Sequence, residues 1–375
     1  MIAIDFLIAC AVAFAASALA CRLVIAAGVV DGPTMRHKAH GQPTPSSAGL
    51  AIGIGYAAGI CALVYPPVRE WNELVTQRAA GDAATAMISA FLFLGIGTID
   101  DLWPIAARVK AGLFVAASLA PPLFSSMRPE VIALGTGISL ELPFIVAVLG
   151  SALWVFTMVN TVNFMDGANG LAMGSTAIGL LFLGVVAYDA QRMQSAALCF
   201  CGAAAILGFI VWNFPGGRLF AGDSGALFAG ALAAIASLLV VRTNQVSPFV
   251  PAIIFFPMLA DVLLTLAWRA SRKAELLIGH REHFYQIGLR AGMSHVEVAL
   301  RYWQASALCG VIGFVAAVAG RGDWDYAPMI AGEAGRALDA ALSFLPFLAL
   351  IALMFAALKI NARIRAFALA RGFKD

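Results

Sequence analysis

Three stretches hold most of the side chains able to do chemistry. Gly97-Thr98-Ile99-Asp100-Asp101 ends on adjacent carboxylates. Asn160-Thr-Val-Asn163-Phe-Met-Asp166-Gly-Ala-Asn169-Gly170-Leu171 packs three amides, a carboxylate and two glycines between long apolar runs. Phe220-Ala-Gly222-Asp223-Ser224-Gly225 places an Asp and a Ser at the start of another run. Beside hydrocarbon each unsatisfied polar group costs several kcal/mol, so packing alone does not account for this polarity. The bland alternative for the middle stretch is a turn with Asn and Gly as caps.

Adjacent helical residues point about 100° apart, so Asp100 and Asp101 are expected to serve different partners, one a metal and the other a base or an orienting contact. Carboxylates at a helix C-terminus oppose the macrodipole, which disfavours a merely solvated end. Asp223 or Ser224 would make a sound N-cap, and the start of that helix would suit a phosphate. Carboxylates and amides are hard oxygen donors and suit Mg²⁺ or Mn²⁺ rather than zinc, a cation able to neutralise a diphosphate. Two polar loops complete the set. Gly279-His280-Arg281-Glu282-His283 offers two imidazoles and a guanidinium for phosphate, or else a solvated loop. Asp31-Gly-Pro-Thr-Met-Arg36-His37-Lys38-Ala-His40-Gly-Gln-Pro43-Thr44-Pro45 reads only as a basic loop beside the membrane.

The elements that must position these groups are transmembrane helices. The chain has 375 residues, 61% hydrophobic and 12% charged, with a mean hydropathy of +0.88. A soluble domain carries about twice that charge fraction. Apolar runs at 3–23, 48–68, 84–100, 106–124, 143–160, 171–189, 195–213, 225–242, 250–270, 301–319 and 342–360 predict about eleven spans. The fold expected is all-α and polytopic, a single integral membrane domain over 1–375 with its motifs within about 31–286. Gly135–Leu142 alternates and predicts a small hairpin outside the bilayer. No Lys or Arg precedes the first run, which therefore reads as an uncleaved span. The six cysteines lie in apolar runs and imply neither disulfides nor zinc. A net charge of +3 without a basic-aromatic surface excludes nucleic acid as a partner.

Lys and Arg set the orientation. Sixteen of the 24 fall in loops after odd-numbered spans or in the C-terminal tail, and seven after even-numbered ones. The N-terminus is expected outside and the C-terminus in the cytoplasm. Asp100, Asp101, Asn163, Asp166, Asn169, Asp223 and His283 then all share the cytoplasmic face, whereas structural caps would scatter over both.

In this order and spacing the motifs resemble the polyprenyl-phosphate N-acetylhexosamine-1-phosphate transferases. The match comprises Lys38-Ala-His40 with Pro43-Thr44-Pro45, Asp100-Asp101, Asn160-x-x-Asn163-x-x-Asp166-Gly-x-x-Gly170, Asn213, Gly222-Asp223-x-Gly225 and His280-x-x-His283. The resemblance implies a Mg²⁺-dependent reaction at the bacterial inner membrane, in which undecaprenyl phosphate attacks the β-phosphorus of a UDP-N-acetyl sugar and UMP leaves. It implies Asp223 as metal ligand, with Asp100 and Asp101 as catalytic groups and further ligands at the reacting phosphates. Phe220 is similar to the uracil-stacking aromatic. Asn163, Asp166, Asn169 and Asn213 correspond to nucleoside- and sugar-side contacts, and Lys38, His280, Arg281 and His283 to phosphate and substrate recognition. Partners expected with the family are the inner-membrane lipids and a second copy of the chain. Ala48-Gly49 where many members have Gly-Gly, Asn169 where muramoyl-pentapeptide transferases have Asp, and His280-x-x-His283 in place of three His place the chain nearer the O-antigen-initiating enzymes.

A peptidoglycan-type muramoyl-pentapeptide transferase is the nearest alternative, and a secondary transporter is the rival from another class. Against the transporter, the carboxylates sit at span ends on one face and no inverted repeat is visible. Orientation is tested directly in a cysteine-free background. Single cysteines at Arg128 and Gly320 are expected to react with an impermeant maleimide from outside, and those at Lys110 and Ala291 only after permeabilisation; the reverse pattern inverts the assignment.

Overall fold

The computed structural model describes residues 2–28, 48–64, 77–135, 138–242, 245–275, 280–321 and 333–373. Among them the chain forms α1 (Ile2–Ala27), α2 (Gly49–Val64), α3 (Gln77–Leu102), α4 (Ala107–Phe124), β1 (Val131–Gly135), β2 (Ile138–Glu141), α5 (Phe144–Met165), α6 (Leu171–Asp189) and α7 (Met193–Asn213). There follow α8 (Gly222–Val241), α9 (Phe249–Ile254), α10 (Phe256–Ser271), α11 (Phe284–Arg290), α12 (His295–Arg321), α13 (Glu333–Leu342) and α14 (Leu345–Ala370). The protein is all-α and multi-pass, and every expected apolar run contains helix.

Nine of the described helices are long and apolar enough to cross a membrane, against eleven runs in the sequence. The two exceptions have separate causes. Helix α2 is 16 residues long as described, and the remainder of its run lies outside the described residues. The 250–270 run is broken at Phe255, which adopts φ −93° and ψ 9°. Pro257, in the first turn of α10, has no N–H to continue the ladder from α9, so the helix stops and restarts. The hairpin is present, with Val131 opposite Glu141 and Ile132 opposite Leu140. Its first strand begins earlier than the alternation suggests.

Helix α8 is the centre of the bundle. Every residue from Ser224 to Val241 is buried, whereas only Pro346, Ala357, Arg365 and Ala368 are buried in the peripheral α14. Small residues let neighbouring backbones approach it closely. A Cβ on Gly230 would lie 2.8 Å from Val159 Cα of α5, and one on Gly97 of α3 would lie 2.5 Å from Ser224 Cα. A Cβ on Gly49 of α2 would overlap the backbone at Ser224 and Gly225. Helices α3 and α8 are joined at both ends. At one end the buried Asp82 pairs with Arg242, which also donates to Ser126 Oγ at 3.2 Å. At the other, Asp101 meets the start of α8, as detailed below.

This close approach makes a paired test. Gly97→Ala is expected to cost roughly 1–3 kcal/mol through overpacking and to lower the thermal midpoint in detergent. Gly95→Ala, two residues away with nothing within 4 Å of its added Cβ, is expected to be neutral. Equal midpoints would show that α3 and α8 are not in this contact.

Candidate active site

The chemistry-bearing side chains gather where α3 and α5 end and α8 begins. Asp101 accepts N–H bonds from Asp223 at 2.8 Å and Ser224 at 3.1 Å, one on each carboxylate oxygen. It thereby caps a helix it does not belong to. This corrects one expectation. Neither Asp223 nor Ser224 caps α8, because the cap residue Ala221 brings no side chain and Ser224 Oγ points back to Ala221 O at 3.4 Å. As expected, Asp101 is not a merely solvated end of α3: its charge faces the positive end of α8. Gly222 has φ +68°, and a Cβ there would sit 2.6 Å from Asp101 Oδ2, so the position demands glycine twice over.

Asp100 points elsewhere, as a 100° rotation requires. Its Oδ1 accepts the Ile105 N–H at 2.7 Å and its Oδ2 accepts Lys110 Nζ at 2.7 Å. The same ammonium pairs with Asp223 Oδ2. Two carboxylates from different helices therefore converge on one cationic centre. Lys110 was absent from the motif reading, which counted it only as a loop charge. A lysine inside the apolar run 106–124 was the available signal.

Among the described residues no group of three His, Cys, Asp or Glu side chains is placed to hold a metal. The donor chemistry still fits Mg²⁺, which binds through one or two carboxylates together with substrate phosphates. Asp100 and Asp223 would hold it. Asp101, expected as a third ligand, is instead engaged at both oxygens by α8.

The loop between α5 and α6 is braced from three sides. Gly170, at φ +74°, donates its N–H to Asn213 Oδ1 at 2.6 Å and accepts Trp303 Nε1 at 2.9 Å. Asn213 Nδ2 donates to Leu219 O at 2.8 Å. Asn213 is therefore buried with both ends of its amide on backbone, and it positions the loop where a nucleoside contact was expected. Asn169 donates its N–H to His295 Nδ1 at 3.3 Å and its side-chain amide to Pro215 O at 3.3 Å. Asn163 and Asp166 stay partly exposed at the end of α5, and so does Phe220 before α8. The carbonyls of Phe220 and Ala221 accept the N–H groups of Ala48 and Gly49 at 3.3 Å, which fixes α2 to the same turn.

The His280–His283 loop joins this surface through Tyr285, whose hydroxyl donates to Phe164 O at 3.1 Å. The His283 ring lies near-parallel to Phe164, with centroids 5.9 Å apart. His283 is itself buried, not solvated, and its Nδ1 is 3.2 Å from Asp261 Oδ1. Asp261, in the middle of the 250–270 run, also takes the N–H groups of Phe284 and Tyr285 and the Tyr302 hydroxyl. The sequence reading missed it, although a carboxylate inside an apolar run is a functional signal by default. Arg269 and Arg365 clamp the same loop, binding Glu282 Oε2 at 2.6 Å and Glu282 O at 2.7 Å. Burial, with the neighbouring His283 and Arg269, pushes the His280 imidazole down to about 4. His280 is therefore neutral at pH 7, and the exposed cation of the loop is Arg281. Lys38 lies outside the described residues.

Residues 83–241 match glycosyl transferase family 4, a segment that holds Asp100, Asp101, the Asn-rich loop and Asp223. Over 288 residues the chain is 27% identical to a probable undecaprenyl-phosphate N-acetylglucosaminyl 1-phosphate transferase of Bacillus subtilis, covering 73% of each. It is 28% identical over 301 residues to a decaprenyl-phosphate N-acetylglucosaminephosphotransferase of Mycobacterium leprae, covering 74% of each. A phospho-N-acetylmuramoyl-pentapeptide-transferase of Rubrobacter xylanophilus is 26% identical over 289 residues, 72% of this chain and 82% of that one. The protein is a multi-pass membrane protein in which residues 83–241 match glycosyl transferase family 4. Along about three quarters of its length it is similar to polyprenyl-phosphate N-acetylglucosamine-1-phosphate transferases.

The shared ammonium gives a charge test. Lys110→Met leaves Asp100 and Asp223 facing each other and is expected to cost roughly 1–3 kcal/mol, less than a fully buried broken pair because the groups are part-exposed. The thermal midpoint in EDTA should fall, and adding Asp223→Asn should restore much of it. Purely additive losses would mean that the three groups do not share a centre.

Proposed function

We propose that the protein transfers N-acetylhexosamine-1-phosphate from a UDP-sugar to undecaprenyl phosphate at the cytoplasmic face of the bacterial inner membrane. UMP leaves, and the lipid-diphosphate sugar starts a cell-surface glycan of the O-antigen type. The observation that supports this best is the convergence of Asp100 and Asp223 on one cationic centre beside the capped start of α8.

In the reaction a lipid-phosphate oxygen forms a bond to the β-phosphorus of the donor. The bond from that phosphorus to the oxygen bridging the α-phosphate breaks, and UMP departs with the electron pair. The second pKa of a phosphate monoester is about 6, so the lipid phosphate is largely a dianion at pH 7 and no base need remove a proton. A divalent cation held by Asp100 and Asp223 would neutralise the donor diphosphate. Lys110 stands at the same carboxylates and is available to the phosphates. Asp101 keeps the start of α8 fixed, so that Asp223 is presented at a constant distance from Asp100. Asn163, Asp166, Asn169 and Phe220 are suited to the nucleoside and sugar, and Arg281 to an anionic group of the substrate.

The muramoyl-pentapeptide reading shares this chemistry, and relatives of both names match the chain. Asn169 and the two-His loop favour the simple N-acetyl sugar. Purified protein is therefore to be incubated with undecaprenyl phosphate and a panel of UDP-N-acetyl sugars, UDP-N-acetylmuramoyl-pentapeptide included, and UMP measured. UMP should form with a simple UDP-N-acetylhexosamine, vanish in EDTA and return with Mg²⁺ or Mn²⁺. Asp223→Asn should lower kcat by at least ~10³, about 4 kcal/mol of transition-state stabilisation. UMP release by rigorously metal-free protein, or near-normal turnover by folded Asp223→Asn, would sink the assignment.

A further inference from the structure

Helix α14 is longer than the hydrocarbon it has to cross. Its 26 residues span about 39 Å at 1.5 Å per residue, against about 30 Å of bilayer core. Its C-terminal turns reach the bundle face that carries the site. There Arg365 donates to Glu282 O at 2.7 Å, and nearby Tyr285 donates to Phe164 O at the end of α5. Arg365 also donates to Thr265 Oγ1 at 2.8 Å and to Asn361 Oδ1 at 3.2 Å, so its side of the helix faces the bundle. At about 100° per residue, Lys359, Arg363, Phe367 and Arg371 form a stripe centred on the opposite side. All four are exposed, and the Arg371 guanidinium lies 5.3 Å from the Phe367 ring centroid.

The stripe has no acidic neighbour in sequence: from Ala340 to Lys374 there is no Asp or Glu. Elsewhere Lys110, Arg128, Arg242, Arg269 and Arg321 each pair with a carboxylate. Among the described residues Lys359, Arg363 and Arg371 pair with none. The same turns expose Ile360, Phe367 and Leu369, a surface that water covers unfavourably. Exposed Phe355 and Leu358 lead into them, so the stripe continues the lipid-facing surface of the span. Cations and apolar side chains side by side on one helix face suit the boundary between headgroups and acyl chains.

We propose that the C-terminal turns of α14 are a docking surface for anionic phospholipid headgroups, with Lys359, Arg363 and Arg371 on the phosphates. Charge complementarity selects an anionic partner, and continuity with the lipid-facing span selects the bilayer over a soluble one. Docking at this surface does not depend on the donor or on the reaction. Under the reading above the acceptor is itself an anionic lipid, and the same stripe would concentrate it on the face where it reacts.

The test reads the lipid composition beside the helix and needs no turnover. In a cysteine-free background, a bimane is attached at Ala356→Cys, exposed and just before Lys359 on the stripe's side, or at Leu348→Cys, exposed near the other end of α14. Each protein is placed in nanodiscs of phosphatidylcholine and phosphatidylglycerol, with quenching bromines on the chains of one lipid or the other. A single cation at an anionic surface is worth about a fivefold preference. Phosphatidylglycerol is therefore expected to be enriched at least about fivefold over bulk at Ala356→Cys, and less than about twofold at Leu348→Cys. Adding Lys359→Gln, Arg363→Gln and Arg371→Gln together should bring the first value below about twofold. So should 0.5 M NaCl without those changes, because the Debye length is then about 4 Å. No enrichment at Ala356→Cys, equal enrichment at both labels, or enrichment untouched by the three substitutions would overturn the proposal. If the triply substituted chain does not insert, the salt series decides, and undiminished enrichment at 0.5 M NaCl is the contradicting result. Absence of UMP with every sugar would defeat the functional reading and leave this measurement standing.

Discussion

The structure depends on one interaction between two helices that are far apart in sequence: the Asp101 carboxylate on the first N–H groups of α8. The start of a helix leaves its first N–H groups without intrahelical partners and carries a partial positive charge. Asp101 answers both, and in doing so fixes where Asp223 stands. Because Asp100 precedes Asp101 on the same helix, its side chain is turned toward Asp223 from the other side. Lys110 then closes the arrangement from α4 by pairing with both. The glycines follow from the same constraint. Gly222 must leave room for Asp101, while Gly97 and Gly49 must let α3 and α2 reach the backbone of α8.

A second carboxylate plays a parallel part at the His280–His283 loop. Asp261 accepts the first N–H groups of α11, as Asp101 does for α8, and it sits on the helix that restarts after the break at Phe255. In both cases a buried or half-buried charge is tolerated because the backbone of another element satisfies it. In both cases the element so held bears, or directly follows, a motif residue, Asp223 on α8 and His283 before α11. The break before α10 thus has a structural consequence: it lets the C-terminal half of an apolar run serve the His loop as a separate helix.

Much of this was legible in the sequence. The apolar runs give the helices, and the three carboxylate stretches mark the ends that come together. Periodicity could not show that the 250–270 run is two helices, because Pro257 breaks the hydrogen-bond ladder without lowering the hydropathy. Residue type could not separate Asp100 from Asp101, or show that Asn213 is consumed by Gly170 and Leu219, since those outcomes depend on which distant backbone each side chain meets. Lys110 and Asp261 were overlooked for another reason. Each is a lone charge within a run scored for its average apolarity, although a single charge in such a run has to be paired with something.

The central claim is that Asp100 and Asp223 together form the centre on which the donor diphosphate reacts. It is tested most directly by determining the structure of the protein with a UDP-N-acetyl sugar and Mn²⁺, and locating the ion by its anomalous scattering. The account predicts one peak at about 2.1–2.2 Å from an Asp223 oxygen, on the side facing Asp100, with Lys110 displaced toward the phosphates. A peak away from Asp223, or a donor diphosphate bound elsewhere with Lys110 still bridging the two carboxylates, would contradict it.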